Sequence, residues 1–358
     1  MNTANKTQVI LMIIMSSLLL TACGGGGGDS STGSSAPVVP TPPPTPAPTT
    51  PPVAVITEPL KLSQDNYIDY SVLFNKSLHD EAQNIRSAYH QPSNDTNRLA
   101  QLLWLSPPAA KNIHSQLLST MASTAGTSSC SQGGSMIRTL NDSNSDGIIS
   151  AVGEYQDISF NNCNNGNIVA NGSMRYTIAA TNNPGTISPT TMELTLSYSN
   201  LTAKQSDITD SVNGSKKISI DTTNGLSLNN QIPNELTTQA QSSTASTKTT
   251  QSNSYQTHYT ENGIEWQIRL AGAMSLILDQ KKEATVNFTT NVPLTGSMSN
   301  GSYSAPRTGN YLTQWNNQTL NTSSNADGLI TTQADLDTNG SYELSYSRNW
   351  DTLTIPNN

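Results

Sequence analysis

From Gly133 onward, apolar and polar residues alternate with a period of two. Met192, Leu194, Leu196 and Tyr198 interleave with Glu193, Thr195 and Ser197, and Ile264, Trp266, Ile268 and Leu270 with Glu265, Gln267 and Arg269. The pattern returns at Ala284, Val286 and Phe288 and at Tyr342, Leu344 and Tyr346. Successive side chains of a strand point to opposite faces, so each run predicts a strand with one buried and one wetted face. Asn-Gly pairs beginning at Asn165, Asn171, Asn213, Asn224, Asn262, Asn300 and Asn339 separate the runs. A type I′ turn needs positive φ at both central residues, which makes Asn-Gly the strongest short hairpin signal. Together these features predict one antiparallel meander of roughly ten to fourteen strands, sandwich-like or half-barrel in shape. Asn-Gly-Ser opens strands at Asn171, Asn213, Asn300 and Asn339 with no fixed spacing, which reads as a reused turn rather than an internal repeat. Residues 238–254, dominated by Gln, Ser and Thr with no apolar period, read as either a long loop or a fully solvated strand pair, with the loop preferred.

Upstream the period changes to that of a helix. Tyr67, Tyr70 or Ser71, Phe74, Leu78, Ile85 and Tyr89 recur at three- and four-residue steps. Ser63 is the predicted N-cap, and Asp65 lies in the first turn, where the helix dipole favours a carboxylate. Pro92 ends this helix. A second helix is predicted over 97–105, stopped by Pro107-Pro108, and a third over 109–121. The expected fold is therefore mainly β, of α+β class: a helical subdomain over 57–125 packed on an antiparallel β domain over 126–358.

The N-terminus changes the picture from fold to location. Lys6 precedes an apolar run over 9–20, too short to span a ~30 Å hydrocarbon core. It ends in Leu20-Thr21-Ala22-Cys23, which resembles the lipobox of bacterial lipoproteins. The resemblance implies a signal peptide over 1–22, lipid on Cys23, and a membrane partner reached through acyl chains rather than a span. Residues 23–56, glycine-rich and then proline-rich, predict a tether that could reach on the order of 90 Å. In Gram-negative lipoproteins, Gly rather than Asp after the lipidated cysteine implies the outer membrane, and position 24 is Gly.

Only 12% of the residues are charged, and the formal charge is −8 with no Lys/Arg cluster. Affinity for phosphate backbones comes largely from charge neutralisation, so nucleic acid is excluded as a partner class. With Cys23 lipidated, Cys130 and Cys163 remain as an even pair in an oxidising compartment, where a disulfide is expected.

Candidate chemistry centres on Asp142-Ser-Asn144-Ser-Asp146-Gly147. Calcium takes six to eight hard oxygens, and alternate carboxylate or amide oxygens before a glycine can wrap around it. The stretch resembles an EF-hand or dockerin-type loop, which implies structural calcium on Asp142, Asn144 and Asp146. Gly153 occupies the place of the closing acid, and Glu154 lies one residue late. Asp335-Leu-Asp337-Thr-Asn339-Gly340 has the same start but runs directly into a strand, and reads as a hairpin turn. Cys130-Ser-Gln-Gly133-Gly134, the Asp142 loop, Phe160-Asn-Asn-Cys163 and Asn171-Gly172-Ser173 together resemble a pattern in uncharacterised β-rich Gram-negative lipoproteins. That resemblance implies an exported domain with a Cys130–Cys163 bridge and no assigned activity.

Four histidines (His79, His90, His114 and His258) show no metal-ligand spacing, and no nucleophile elbow is present. A non-enzymatic role is expected. Trp315, set among Gln314, Asn316 and Asn317, is the candidate exposed anchor for a protein or glycan ligand. The expected function is a binding or structural module at the envelope. The alternative is a carrier whose apolar ligand sits between a curved sheet and the helices, distinguished by whether that space stays open above roughly 300 Å³.

Overall fold

The computed structural model describes residues 58–90, 98–103, 105–113, 125–280, 282–299 and 302–353. Cys23 and the predicted signal and tether lie outside the described residues, as do Trp104 and His114.

A short strand, β1 (Glu58–Pro59), precedes three helices: α1 (Tyr67–His90), α2 (Arg98–Leu103) and α3 (Pro108–Ile113). An antiparallel meander follows. Strands β2 (Gly126–Ser129), β3 (Ser135–Asn141), β4 (Tyr155–Asn164), β5 (Val169–Thr181), β6 (Thr191–Gln205) and β7 (Ile208–Asp221) each pair with the next. The C-terminal half of β7 then faces β8 (Leu226–Gln231), and its N-terminal half faces β9 (Glu235–Gln241). Strand β10 (Ser246–Ser252) returns along β9, β11 (Gln256–Glu261) along β8, and both face β12 (Glu265–Leu278). Each of these pairs is one long strand broken midway. Pro233, which cannot donate to a ladder, sits at the first break. The order closes with β13 (Lys282–Ser299), its small hairpin partner β14 (Ser302–Tyr303), then β15 (Thr308–Trp315), β16 (Gln318–Ser324), β17 (Leu329–Asp335) and β18 (Leu344–Asn349). Strand β1 runs parallel to the start of β13.

The sheet is strongly curled. Strand β18 lies five steps from β12, which at about 4.8 Å per step would separate them by roughly 24 Å on a flat sheet. Yet Trp266 of β12 and Trp350, which follows β18, have ring centroids 6.5 Å apart. Helix α1 runs inside the curl. Its buried residues include Tyr67, Ser71, Phe74, Leu78 and Ile85 of the stripe read from the sequence, together with Ala82. Each large apolar member buried is worth about 1.5–3 kcal/mol. Polar pins fix the helix along its length. The Tyr311 hydroxyl donates to Asn75 at 2.6 Å, and the Arg86 guanidinium lies 4.2 Å from the Trp266 ring and 4.1 Å from that of Tyr303. One contiguous core includes Leu78 and Ile85 of α1, Ile113 of α3, and Leu194, Trp266 and Leu320 of the sheet.

Several expectations are corrected. Residues 238–254 are not a loop: β9 and β10 form a hairpin in continuous register from Ser246↔Gln241 to Ser252↔Glu235. The pairs Asn171-Gly172 and Asn213-Gly214 do not make turns, because both lie inside strands. Gly172 (φ +89) and Gly214 (φ +115) pack where a Cβ would strike the carbonyl oxygens of Asn200 and Glu235. Asn171 Oδ1 accepts from Asn162 N–H, and Asn213 Oδ1 from Asn200 N–H, so the two Asn-Gly pairs do the same work two strands apart. Register breaks at these places bend the sheet, as bulges and glycine kinks do elsewhere. Ile264 is 75% exposed at a turn, and Tyr342, before β18 begins, is also exposed. Helix α1 starts at Tyr67 rather than just after Ser63. Residues 64–66 form a turn in which Asn66 Oδ1 accepts from Ser63 N–H at 2.8 Å. Of the third predicted helix, Pro108–Ile113 is seen and the remainder lies outside the described residues.

Candidate functional site

Both Asp/Asn loops carry the same local skeleton. Asp142 Oδ2 accepts from Gly147 N–H at 2.8 Å, and Asp335 Oδ2 from Gly340 N–H at 2.9 Å. Asn144 Oδ1 accepts from Asp146 N–H and Asp146 Oδ1 from Ile148 N–H, which folds the side chains of the first loop back on its own backbone. Glu154, completely buried beneath it, takes no part as a free oxygen donor. Its Oε1 accepts from Ser143 N–H and Oγ–H and from Asn144 N–H, and its Oε2 from Ser150 and Ala151 N–H. Burial alone would raise its pKa, but the backbone donors of Ala151 and Ser150 and the Ser143 hydroxyl outweigh it and hold the carboxyl below the usual range. Glu154 therefore staples the two ends of the loop together. Asp142 Oδ1 is buried without a partner.

The second loop gathers more carboxylate. Ligand oxygens of Asp335, Asp337 and Glu343 lie within 4.8 Å of one another, a set of hard donors suited to calcium. Glu343, which lies between Tyr342 and Leu344 of the last alternating run, completes this group. The signal was its position eight residues after Asp335, on the strand-ward side of the turn.

Cys130 and Cys163 are bonded, with Cα atoms 5.3 Å apart. Trp315 is not an exposed anchor. Its ring is completely buried, 4.6 Å from that of Tyr70 and 5.6 Å from that of Phe74, and Nε1 donates to the Leu60 carbonyl at 2.6 Å. Its polar neighbours misled because it ends β15: Asn316 makes the turn at φ +54, and Gln318 side-chain atoms bond the backbone of Leu62.

An open space lies between α1, the 105–113 segment and the concave face of β7 to β13, a cavity of about 350 Å³. Strand register lays out its floor. Thr249 stands opposite Thr238 and Leu276, and Gln251 opposite Leu236 and Met274; one strand end on, Thr247 stands opposite Ala240 and Leu278. Phe74 and Leu78 of α1 and Phe288 of β13 supply apolar wall. Six charged side chains also line it: Lys76, Lys111 and Lys216, and Asp80, Glu81 and Asp210. Burial pushes the Asp210 carboxyl up to about 6 against an opposing hydrogen bond from Asn112. Burial lowers the Lys216 and Lys111 ammonium pKa values, with Glu81 pulling the other way in both cases. Asn230 and Thr247, two of the lining residues, each bury one polar atom, Oδ1 and Oγ1, without a hydrogen-bond partner.

The cavity also explains the corrected hairpin. A strand whose inner face looks into open space needs no row of Leu or Ile there, so β9 and β10 show Thr, Ala and Gln where their neighbours show core residues. Against protein-family models, curated proteins and solved structures alike, the chain has no match.

Proposed function

We propose that the protein is a lipid-tethered envelope protein that carries an apolar or amphipathic molecule in the space between α1 and the curled sheet. One observation carries this reading: the cavity, at about 350 Å³, is within the range of ligand sites, and β9 and β10 present Thr238, Ala240, Thr247, Thr249 and Gln251 to it beside the leucines of their neighbours. A binding module that engages its partner through Trp315 has lost its anchor, since that ring is buried. The lipobox at Leu20–Cys23 and the Gly/Pro-rich stretch after it support attachment to the outer membrane through Cys23. No helix among the described residues is long and apolar enough to cross a membrane.

The test fills the cavity. Ala240→Phe puts a ring on the floor, and should weaken binding of the fluorescent apolar probe N-phenyl-1-naphthylamine by at least about tenfold. A Tm close to that of the parent would show that the fold survives. Undiminished probe binding in a folded Ala240→Phe protein would sink the carrier reading. For attachment, Cys23→Ala should release the protein into the soluble fraction and abolish palmitate labelling. Persistence of the variant in the envelope pellet would refute the lipid anchor.

A further inference from the structure

Among the residues lining the cavity, an amine, an amide and a carboxylate come together from three elements. Asn230 of β8 and Thr257 of β11 stand directly opposite one another on the inner face. Asn230 Nδ2 donates to Glu81 Oε1 of α1 and to Thr257 Oγ1, and Thr257 Oγ1 donates to Glu81 at 3.3 Å. Amide and carboxylate are thereby held against each other beneath the helix. Ile218 is the register partner of Asn230 on β7, so Lys216 is its diagonal neighbour on the same face. Such neighbours lie about 7–8 Å apart, a gap that a long side chain spans, and lysine carries its amine on a flexible four-carbon stem. The Lys216 ammonium donates to the Leu105 carbonyl at 2.8 Å. Burial lowers its pKa, and Glu81 is the carboxylate whose charge opposes that shift. A desolvated lysine held beside its target is an activated nucleophile. Asn230 is only 4% exposed, which keeps water away from its amide.

We infer that Lys216 and Asn230 join in an intramolecular isopeptide bond, with Glu81 carrying the proton. Glu81 takes one proton from the Lys216 ammonium, and the neutral Nζ attacks Asn230 Cγ. The Nζ–Cγ bond forms and the Cγ–Nδ2 bond breaks. A second amine proton passes to the departing Nδ2, which leaves as ammonia; the proton held by Glu81 then goes out with it as ammonium. Nothing is oxidised or reduced, and no co-reactant enters. The hydrogen bond from Nδ2 to Glu81 sets the leaving nitrogen on the proton carrier, and the exclusion of water keeps hydrolysis from competing. The link ties β7 to β8 just before the break at Pro233. It stands independently of the carrier reading, since no ligand takes part.

The experiment is tryptic peptide mapping of the full-length protein by tandem mass spectrometry. Lys204, Lys217 and Lys248 bound two stretches, 205–217 with Lys216 and 218–248 with Asn230. An acylated lysine carries no charge for trypsin to recognise, so the two stretches should appear as one branched species, lighter than their sum by one ammonia, about 17 Da. Fragmentation should place the junction on Lys216 and Asn230. Lys216→Arg and Asn230→Leu should each yield linear peptides alone. Glu81→Gln should slow linkage at least about a hundredfold, read as the branched fraction against time after synthesis. Cleavage after Lys216 in the parent with no branched species overturns the inference, as does a junction on any other residue. An undiminished rate in Glu81→Gln overturns the proton-carrying role. The parent map decides the matter even where a variant fails to fold.

Discussion

Trp315→Ala should lower the stability of the folded chain by about 4 kcal/mol, the range for deleting a large buried aromatic. The ring fills the junction where β15 ends against α1 and the segment after β1, in contact with Tyr70 and Phe74. Its indole N–H also ties the Leu60 carbonyl, which Asn316 Nδ2 shares at 3.0 Å. Removal leaves a cavity and an acceptor with one donor fewer, and loosens the start of the helical segment. Trp315→Phe keeps much of the packing and loses the indole donor, so it should cost only about 1–2 kcal/mol more than a conservative core swap. Urea unfolding followed by circular dichroism separates the two, with a shift in midpoint at constant slope as the signature. A loss under about 1 kcal/mol for the alanine variant would mean that the ring is solvent-exposed after all.

Loss of the Cys130–Cys163 bond should cost nearly as much. The half-cystines are 33 residues apart in sequence, and on a chain-entropy estimate closing such a loop in the unfolded state stabilises the fold by about 4 kcal/mol. The loop so closed contains β3, most of β4 and the whole Asp142 segment. Strand β2, whose four residues are all exposed, pairs only with β3 among the described residues, so little besides that ladder and the covalent link holds it. A Cys130→Ala/Cys163→Ala protein should melt at a markedly lower temperature and be insensitive to reductant, while the parent shifts toward it when dithiothreitol is added. An unchanged parent midpoint under full reduction would contradict this.

Much of the architecture was legible along the chain. Period-two runs such as Met192 to Tyr198 and Ala284 to Phe288 are strands with the predicted faces inward, and the stripe from Tyr67 to Ile85 is the buried face of α1. The cysteine pairing was legible from count and compartment alone. Where local pattern failed, it failed for identifiable reasons. Asn-Gly at Asn171 and Asn213 has the backbone freedom of a hairpin turn, but positive φ serves a mid-strand bulge equally well, and only the neighbouring strand decides which. Trp315 has polar neighbours because a turn follows it, and sequence proximity says nothing about Leu60 and Tyr70, which meet it from across the fold.

The candidate site was the least legible part, because a cavity has no sequence period. Residues 238–254 lacked an apolar alternation for the very reason that makes them interesting: their inner face borders space rather than core. A polar cluster among its lining residues is assembled from Glu81 on a helix, Lys216 and Asn230 on adjacent strands and Thr257 on the next, separated by up to 176 positions in sequence. Local chemistry acts over a few residues, so the chain by itself determined its strands, its long helix and its cysteine pair. Which faces meet, how tightly the sheet curls around α1, and where packing stops short of filling the interior are long-range outcomes of register and bulge. Only the tertiary structure decided them.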